Sequence, residues 1–91
     1  MLSVVVRIEV IKMTGLKDAI KIAEQSAPGF IVDSVIDCGD RWAFYFKEFE
    51  GTLESLSVFV FKENGQCEFF FMTEENIEIL QRGKRVNLPE D

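Results

Sequence analysis

The stretch LSVFVFKENGQCEFFFM, residues 56–72, decides the fold. Asn64-Gly65 is the dipeptide that suits a two-residue type I′ turn, in which both central residues need positive φ. That turn sets Lys62 opposite Cys67, Val60 opposite Phe69 and Val58 opposite Phe71 on one side of a hairpin. Phe61 then lies opposite Glu68, Phe59 opposite Phe70 and Ser57 opposite Met72 on the other side. A hairpin with one wet side alternates apolar with polar residues. This one is apolar on both sides, so it calls for two covers.

Leu56, Val58, Val60, Phe69 and Phe71 form the more uniformly apolar side and are expected to meet a helix. The second side carries Phe59, Phe61, Phe70 and Met72, diluted by Ser57, Glu63, Gln66 and Glu68. An aromatic side chain buries about 150–250 Å². Several left open together approach or exceed the few hundred Å² of apolar patch that a soluble monomer tolerates. Three covers are open: a C-terminal helix or tail, a second copy of the chain, or a different protein. Phe59, Phe61, Phe70 and Met72 are therefore the candidate partner-binding residues.

Outward from the hairpin, residues 30–37 and 41–49 read as strands joined by the turn Cys38-Gly39-Asp40. Trp42, Phe44 and Phe46 share one face of the second strand; Ala43, Tyr45, Lys47 and Phe49 share the other. A loop centred on Gly51 fills 50–55. Before these strands, Leu16, Ala19, Ile20, Ala23 and Ala27 recur at helical spacing. They predict a helix over 16–26, with Thr14 as its N-cap and Pro28-Gly29 as its stop. Lys17, Asp18, Lys21, Glu24 and Gln25 make its wet face. After the hairpin, Thr73 predicts a helix N-cap, with Glu74 and Glu75 favourable to the dipole of the first turn. Ile77, Ile79 and Leu80 supply the apolar spacing, and Gly83 is the expected left-handed C′ residue. Residues 86–91 read as a tail. At the other end, 3–13 alternates and is rich in β-branched residues, the pattern of a strand. Val4, Val6, Ile8 and Val10 share one face of it; Ser3, Val5, Arg7, Glu9 and Ile11 share the other. Met13 offers a second translational start, so the standing of 1–13 in the domain stays open.

The expected fold is α+β, one domain over 1–91. An antiparallel meander of four or five strands packs on one N-terminal helix, with a short C-terminal helix, the two helices covering one face. At 91 residues the chain can bury a modest core. Hydrophobic residues at 47% and charged residues at 29% exclude disorder.

Composition narrows function mainly by exclusion. The formal net charge is -6, which argues against phosphate-backbone binding, so no nucleic-acid partner is expected. Arg82, Lys84 and Arg85 form the only dense basic cluster, placed where they offset a helix dipole. The chain has no histidine, which removes the commonest general base and the usual Ser and Cys triads. Two cysteines without histidine cannot build a four-ligand zinc site, and no glycine-rich phosphate loop occurs. Asp33, Asp37 and Asp40 cluster near one turn but lack the spaced ligands of a calcium loop. Glu48 and Glu50 are the only suggestion of a paired carboxylate. The chain is read as a non-enzyme without metal or cofactor.

Cys38 and Cys67 are read as free thiols of a reducing compartment. No segment is long enough to span a bilayer. Arg7 and Glu9 break the apolar start, which makes a poor signal peptide, so the cytoplasm is expected. Trp42 and Tyr45 are the candidate ligand-binding pair, in a pocket between helix and sheet.

Three stretches carry a resemblance: LKDAIKIAEQSAPG (16–29), VDSVIDCGDRWAFYF (32–46) and SVFVFKENGQCEF (57–69). Ala19, Ile22, Ala23, Pro28, Gly29, Trp42, Tyr45, Val60, Gly65 and Cys67 stand at places comparable to those of PepSY-type and YrhB-like, immunity-type small domains. The chain resembles these over 16–71, at folding positions rather than at a catalytic signature. The resemblance implies a cystatin-like sheet wrapped on a helix and a non-catalytic binding or inhibitory role. Asn64 replaces the Asp usual before the turn glycine, and the exported setting usual for PepSY-type domains has no counterpart here. The expected function is a protein-interaction module, inhibitor-like or immunity-like, using the aromatic sheet face or an exposed strand edge. A small-ligand sensor at Trp42 and Tyr45 and a structural homodimer are the alternatives.

Overall fold

The computed structural model describes residues 13–47 and 57–89. The strand expected over 3–12, the Glu48/Glu50 pair, the 50–55 loop and Leu56 lie outside the described residues. Helix α1 spans Leu16–Ser26; strands follow at Val32–Asp37 (β1), Arg41–Phe46 (β2), Ser57–Phe61 (β3) and Cys67–Phe69 (β4). Helix α2 spans Glu74–Arg82, and Lys84–Val86 forms β5. The sheet order is β4-β3-β2-β1-β5, with every neighbouring pair antiparallel. The expected α+β meander with an N-terminal helix and a short C-terminal helix is what forms.

Helix α1 lies close to the sheet because its contact stripe is small. Ala19, Ala23 and Ala27 are buried against Val35, Phe44, Val58 and Val60, with Leu16, Ile20 and Ile22 flanking them. Pairing of Trp42 with Val60 and of Phe44 with Val58 turns these even-numbered residues of β2 and β3 toward α1. Thr14 does not cap the helix. Gly15 is the N-cap and makes no side-chain cap bond. Thr14 instead ties the chain to the sheet: its N–H donates to the Lys62 carbonyl at 2.7 Å, and its carbonyl accepts the Trp42 indole N–H at 3.0 Å.

The second apolar face has its own cover. Ala43, Phe59 and Phe70 are buried there, packed by Ile36, Cys38, Phe61 and by Ile79 and Leu80 of α2. The two helices therefore take opposite faces, not one face as expected. A hairpin apolar on both sides needs a cover on each, and α2 supplies the second. Helix α2 starts as read: Thr73 Oγ1 accepts the Asn76 N–H at 3.2 Å, with Glu74 and Glu75 in the first turn.

Gly83 departs from its expected role. Its φ is -82°, an extended value open to any residue. What requires glycine is space, because a Cβ would stand 2.4 Å from Ile36 Cγ2 and 2.9 Å from the Asp37 carbonyl. That close approach lets the chain leave α2 and pair with β1, Val86 opposite Val35 and Lys84 opposite Asp37. The expected tail is thus partly a strand, and Val86 and Leu88 pack against the α1-side core.

The hairpin turn is longer than two residues. Val58 pairs with Phe69, Phe59 with Glu68 and Val60 with Cys67. Phe61 N–H donates to the Gln66 carbonyl at 2.9 Å and its carbonyl accepts the Gly65 N–H at 2.8 Å, which makes 62–65 a four-residue loop. Gly65 has φ +73°, while no described non-glycine residue has positive φ, so the type I′ turn is excluded. Asn64 acts through its side chain, whose Oδ1 accepts the Gln66 N–H at 2.9 Å. The register has slipped by two residues from the expected one. A slip of one would exchange the faces; a slip of two keeps them.

Candidate functional site

Phe59 and Phe70, two of the four candidate partner-binding residues, are core residues. Phe59 is 1% exposed and Phe70 8%, and their rings stack with centroids 3.8 Å apart. Tyr45 meets Phe70 edge-on at 6.4 Å. The Arg41 guanidinium lies over Phe59 and Phe61, at 4.9 and 4.5 Å from their ring centroids. It is held there by two 2.9 Å bonds to the Asp40 carboxylate. Phe61 is half-buried beside this group, and Met72 alone of the four stands exposed. Helix α2 supplies the cover, and the aromatic face is closed as a docking surface.

Trp42 and Tyr45 do not share a pocket, because they point to opposite faces of β2. Trp42 lies on the α1 face, bonded to Thr14 and covered by Lys62 Nζ at 4.3 Å. Tyr45 lies on the α2 face, where burial pushes its phenol up from the ordinary value. A groove of roughly 420 Å³ runs between α1 and the β1 side, lined by residues including Ile20, Lys21, Val32 and Leu88, and neither aromatic residue lines it.

Lys62 also pairs with Asp37 at 2.7 Å. This bond, and then the Gly39 N–H at 3.0 Å, hold the Asp37 carboxyl below its usual 3.8. A depressed carboxyl stabilises the fold above its unfolded pKa, and that contribution is lost as pH falls through the folded value. Asp37→Asn should therefore lower the urea midpoint at neutral pH, and the gap to the parent chain should narrow as pH falls through the depressed Asp37 value. A gap that stays constant across that range contradicts the pairing.

Cys38 and Cys67 are both free. Cys38 packs on the α2 face, where burial raises its thiol pKa. Cys67 packs on the α1 face and its Sγ donates to Ser26 Oγ at 3.4 Å. Opposite faces of one sheet keep the pair from bridging. Among the described residues no group of three or more His, Cys, Asp or Glu side chains is placed to hold a metal ion, and no helix is long and apolar enough to cross a membrane.

What remains open is the β4 side of the sheet. Phe69 is 51% exposed, Phe71 81% and Met72 51%. Both phenylalanines were expected beneath the first helix. A helix is about 10 Å across, whereas five strands at about 4.8 Å spacing span roughly 19 Å between the outer axes. One helix seated over the sheet touches β4 at Cys67 and leaves Phe69, and Phe71 beyond the strand, uncovered. The backbone at this edge is open too. Phe61 N–H donates to Gln66, and Phe70 N–H donates to Ser57 at 3.0 Å. Alternation along the ladder then turns the N–H and C=O of Cys67 and Phe69 away from β3, with no partner among the described residues. The edge ends at Phe71, whose carbonyl accepts the Thr73 N–H and the Asn76 side-chain amide, each at 2.8 Å. In the sequence these residues look like ordinary hairpin core. The missed signal is the size of the α1 stripe, whose contact with β4 is at Cys67 and leaves Phe69 open.

No protein-family model, curated protein or solved structure matches this chain.

Proposed function

We propose that this protein is a non-enzymatic protein-interaction module that accepts an extended apolar segment of a partner protein along β4. Phe69, Phe71 and Met72 anchor the segment, and the outward backbone groups of Cys67 and Phe69 hydrogen-bond to it. The observation that carries this reading is the coincidence of two features on one edge: a ladder unpaired among the described residues and exposed aromatic side chains. Natural proteins blunt free edges with charge, proline or a covering element. Here Glu68 is the only charge on β4, and its side chain points to the α2 face. Strand addition draws affinity from the ladder and specificity from alternate side chains.

The net charge of -6 would steer a basic partner toward the module. An inhibitor-like or immunity-like role by occlusion agrees with this, as does the binding role that the PepSY-type resemblance implies. With both thiols unbridged, the cytoplasm is the compartment we assign. Phe71→Glu tests the reading. Exposed as it is, Phe71 can be changed with little effect on stability, within about 0.5 kcal/mol. Loss of an interface anchor costs about 2 kcal/mol or more, roughly thirtyfold in affinity. A folded variant that captures the same partners as the parent chain in a pull-down contradicts the proposal. A parent chain that only self-associates replaces the foreign partner with a homodimer.

A further inference from the structure

We propose that the groove between α1 and the β1 side binds a small amphipathic carboxylate. Its alkyl chain lies on Ile20, Ile31, Val32 and Leu88, and its carboxylate is held by Lys17 and Lys21. The groove shares no residue with β4, which stands at the other edge of the sheet from β5, so this site and the strand-accepting edge stand or fall separately.

The tail is set by the walls. The groove holds about 420 Å³, within the roughly 300–1,000 Å³ of small-molecule sites. Ile20 and Leu88 are half-buried against the core and Val32 is buried, whereas Ile31 is 53% exposed. The close approach at Gly83 helps build the wall away from the helix. It lets β5 pair with β1, and the chain beyond β5 brings Leu88 and Pro89 to the groove. An apolar body laid here removes Ile31 from water. An alkyl chain suits the groove better than a peptide, because backbone groups beside it are already engaged. Val32 N–H donates to Glu24 Oε2 at 3.1 Å, and the Ile31 carbonyl accepts the Lys47 N–H at 2.8 Å. A peptide brings amides that need partners when covered, and methylenes bring none.

The head is set by the two lysines. Lys17 and Lys21 lie one helical turn apart, both exposed, and neither has an ion-pair partner among the described residues. Glu24, the acid in the lining, is turned to Val32. Both lysines work against their own helix. Lys17 stands in the first turn, where the dipole favours acidic side chains, and the two are like charges at i,i+4 spacing. An anion between them relieves both effects. In a chain of net charge -6, this pair beside an apolar groove complements a carboxylate. Glu24 lies further along α1 and repels one, so the head lies toward the start of the helix and the tail toward Ile31 and Val32.

Titration of the labelled full chain with octanoate, octanol and octylammonium, followed through amide shifts by NMR, tests this. The three probes share a tail and differ in charge. Octanoate is expected to give saturable shifts at Ile20, Ile31 and Leu88, with octanol and octylammonium at least about tenfold weaker. Lys17→Glu combined with Lys21→Glu changes two exposed side chains and should leave the remaining spectrum in place. The double variant should bind octanoate at least about tenfold more weakly and octylammonium more tightly than the parent chain. Equal binding of the three probes, an undiminished response to octanoate in the double variant, or no saturable shift overturns the proposal. Shifts that gather at Phe69, Phe71 and Met72 overturn it too, because the probes then report the exposed apolar side chains at β4.

Discussion

Phe59→Ala is expected to cost the fold about 3–5 kcal/mol, the usual loss when a buried phenylalanine is cut to alanine. Phe59 lies fully inside the second core cluster with Ala43 and Phe70. Its ring stacks on Phe70, meets Phe61 edge-on at 6.5 Å and carries the Arg41 guanidinium. Truncation removes all three contacts and opens a cavity under α2. A domain of this size has about 5–15 kcal/mol of stability in all, so much of the margin goes. The midpoint of thermal unfolding should fall by more than about 10 °C, given about 4–8 °C per kcal/mol at this length. A loss under about 1 kcal/mol would mean that Phe59 is not core, and would return the aromatic face to the list of docking surfaces.

Gly83→Ala is the second large effect. The added Cβ meets Ile36 Cγ2, the Asp37 carbonyl and, at 3.3 Å, Cys38 Sγ. Two of the three are side-chain atoms; the carbonyl belongs to the β1 backbone and cannot rotate away. Overpacking of this kind costs about 1–3 kcal/mol. The cheapest relief is for the α2–β5 connection to lift from β1. The expected result is therefore a lower urea midpoint together with faster amide exchange in β5, while the β2–β3 ladder keeps its protection. Uniform destabilisation with β5 still protected would contradict the close-approach argument.

The sequence carries most of the architecture because its strongest signals are local. The alanine stripe of α1, the Thr73 cap and the Cys38-Gly39-Asp40 turn each act within a few residues. The turn at Asn64-Gly65 was legible as a turn but not as a loop length, since Asn64 works through its side chain rather than through positive φ. Face assignment survived that error because the slip was even. What escaped is non-local. Nothing in the local pattern of Lys84–Val86 sends it across to β1; its route depends on Gly83 fitting beside Ile36. Nor does the pattern around Phe59 and Phe70 show that α2 crosses to cover them. For the same reason Phe69 and Phe71, which look more buried in sequence, are the ones left open.

The proposed recognition lies at the β4 edge and not at the aromatic face under α2. The most direct test is photo-crosslinking in cells that make the protein, with p-benzoylphenylalanine in place of Phe71 in one chain and of Phe61 in another. The expected result is a discrete protein adduct from position 71 and none from position 61. Adducts from position 61 alone, or from neither position, would contradict it.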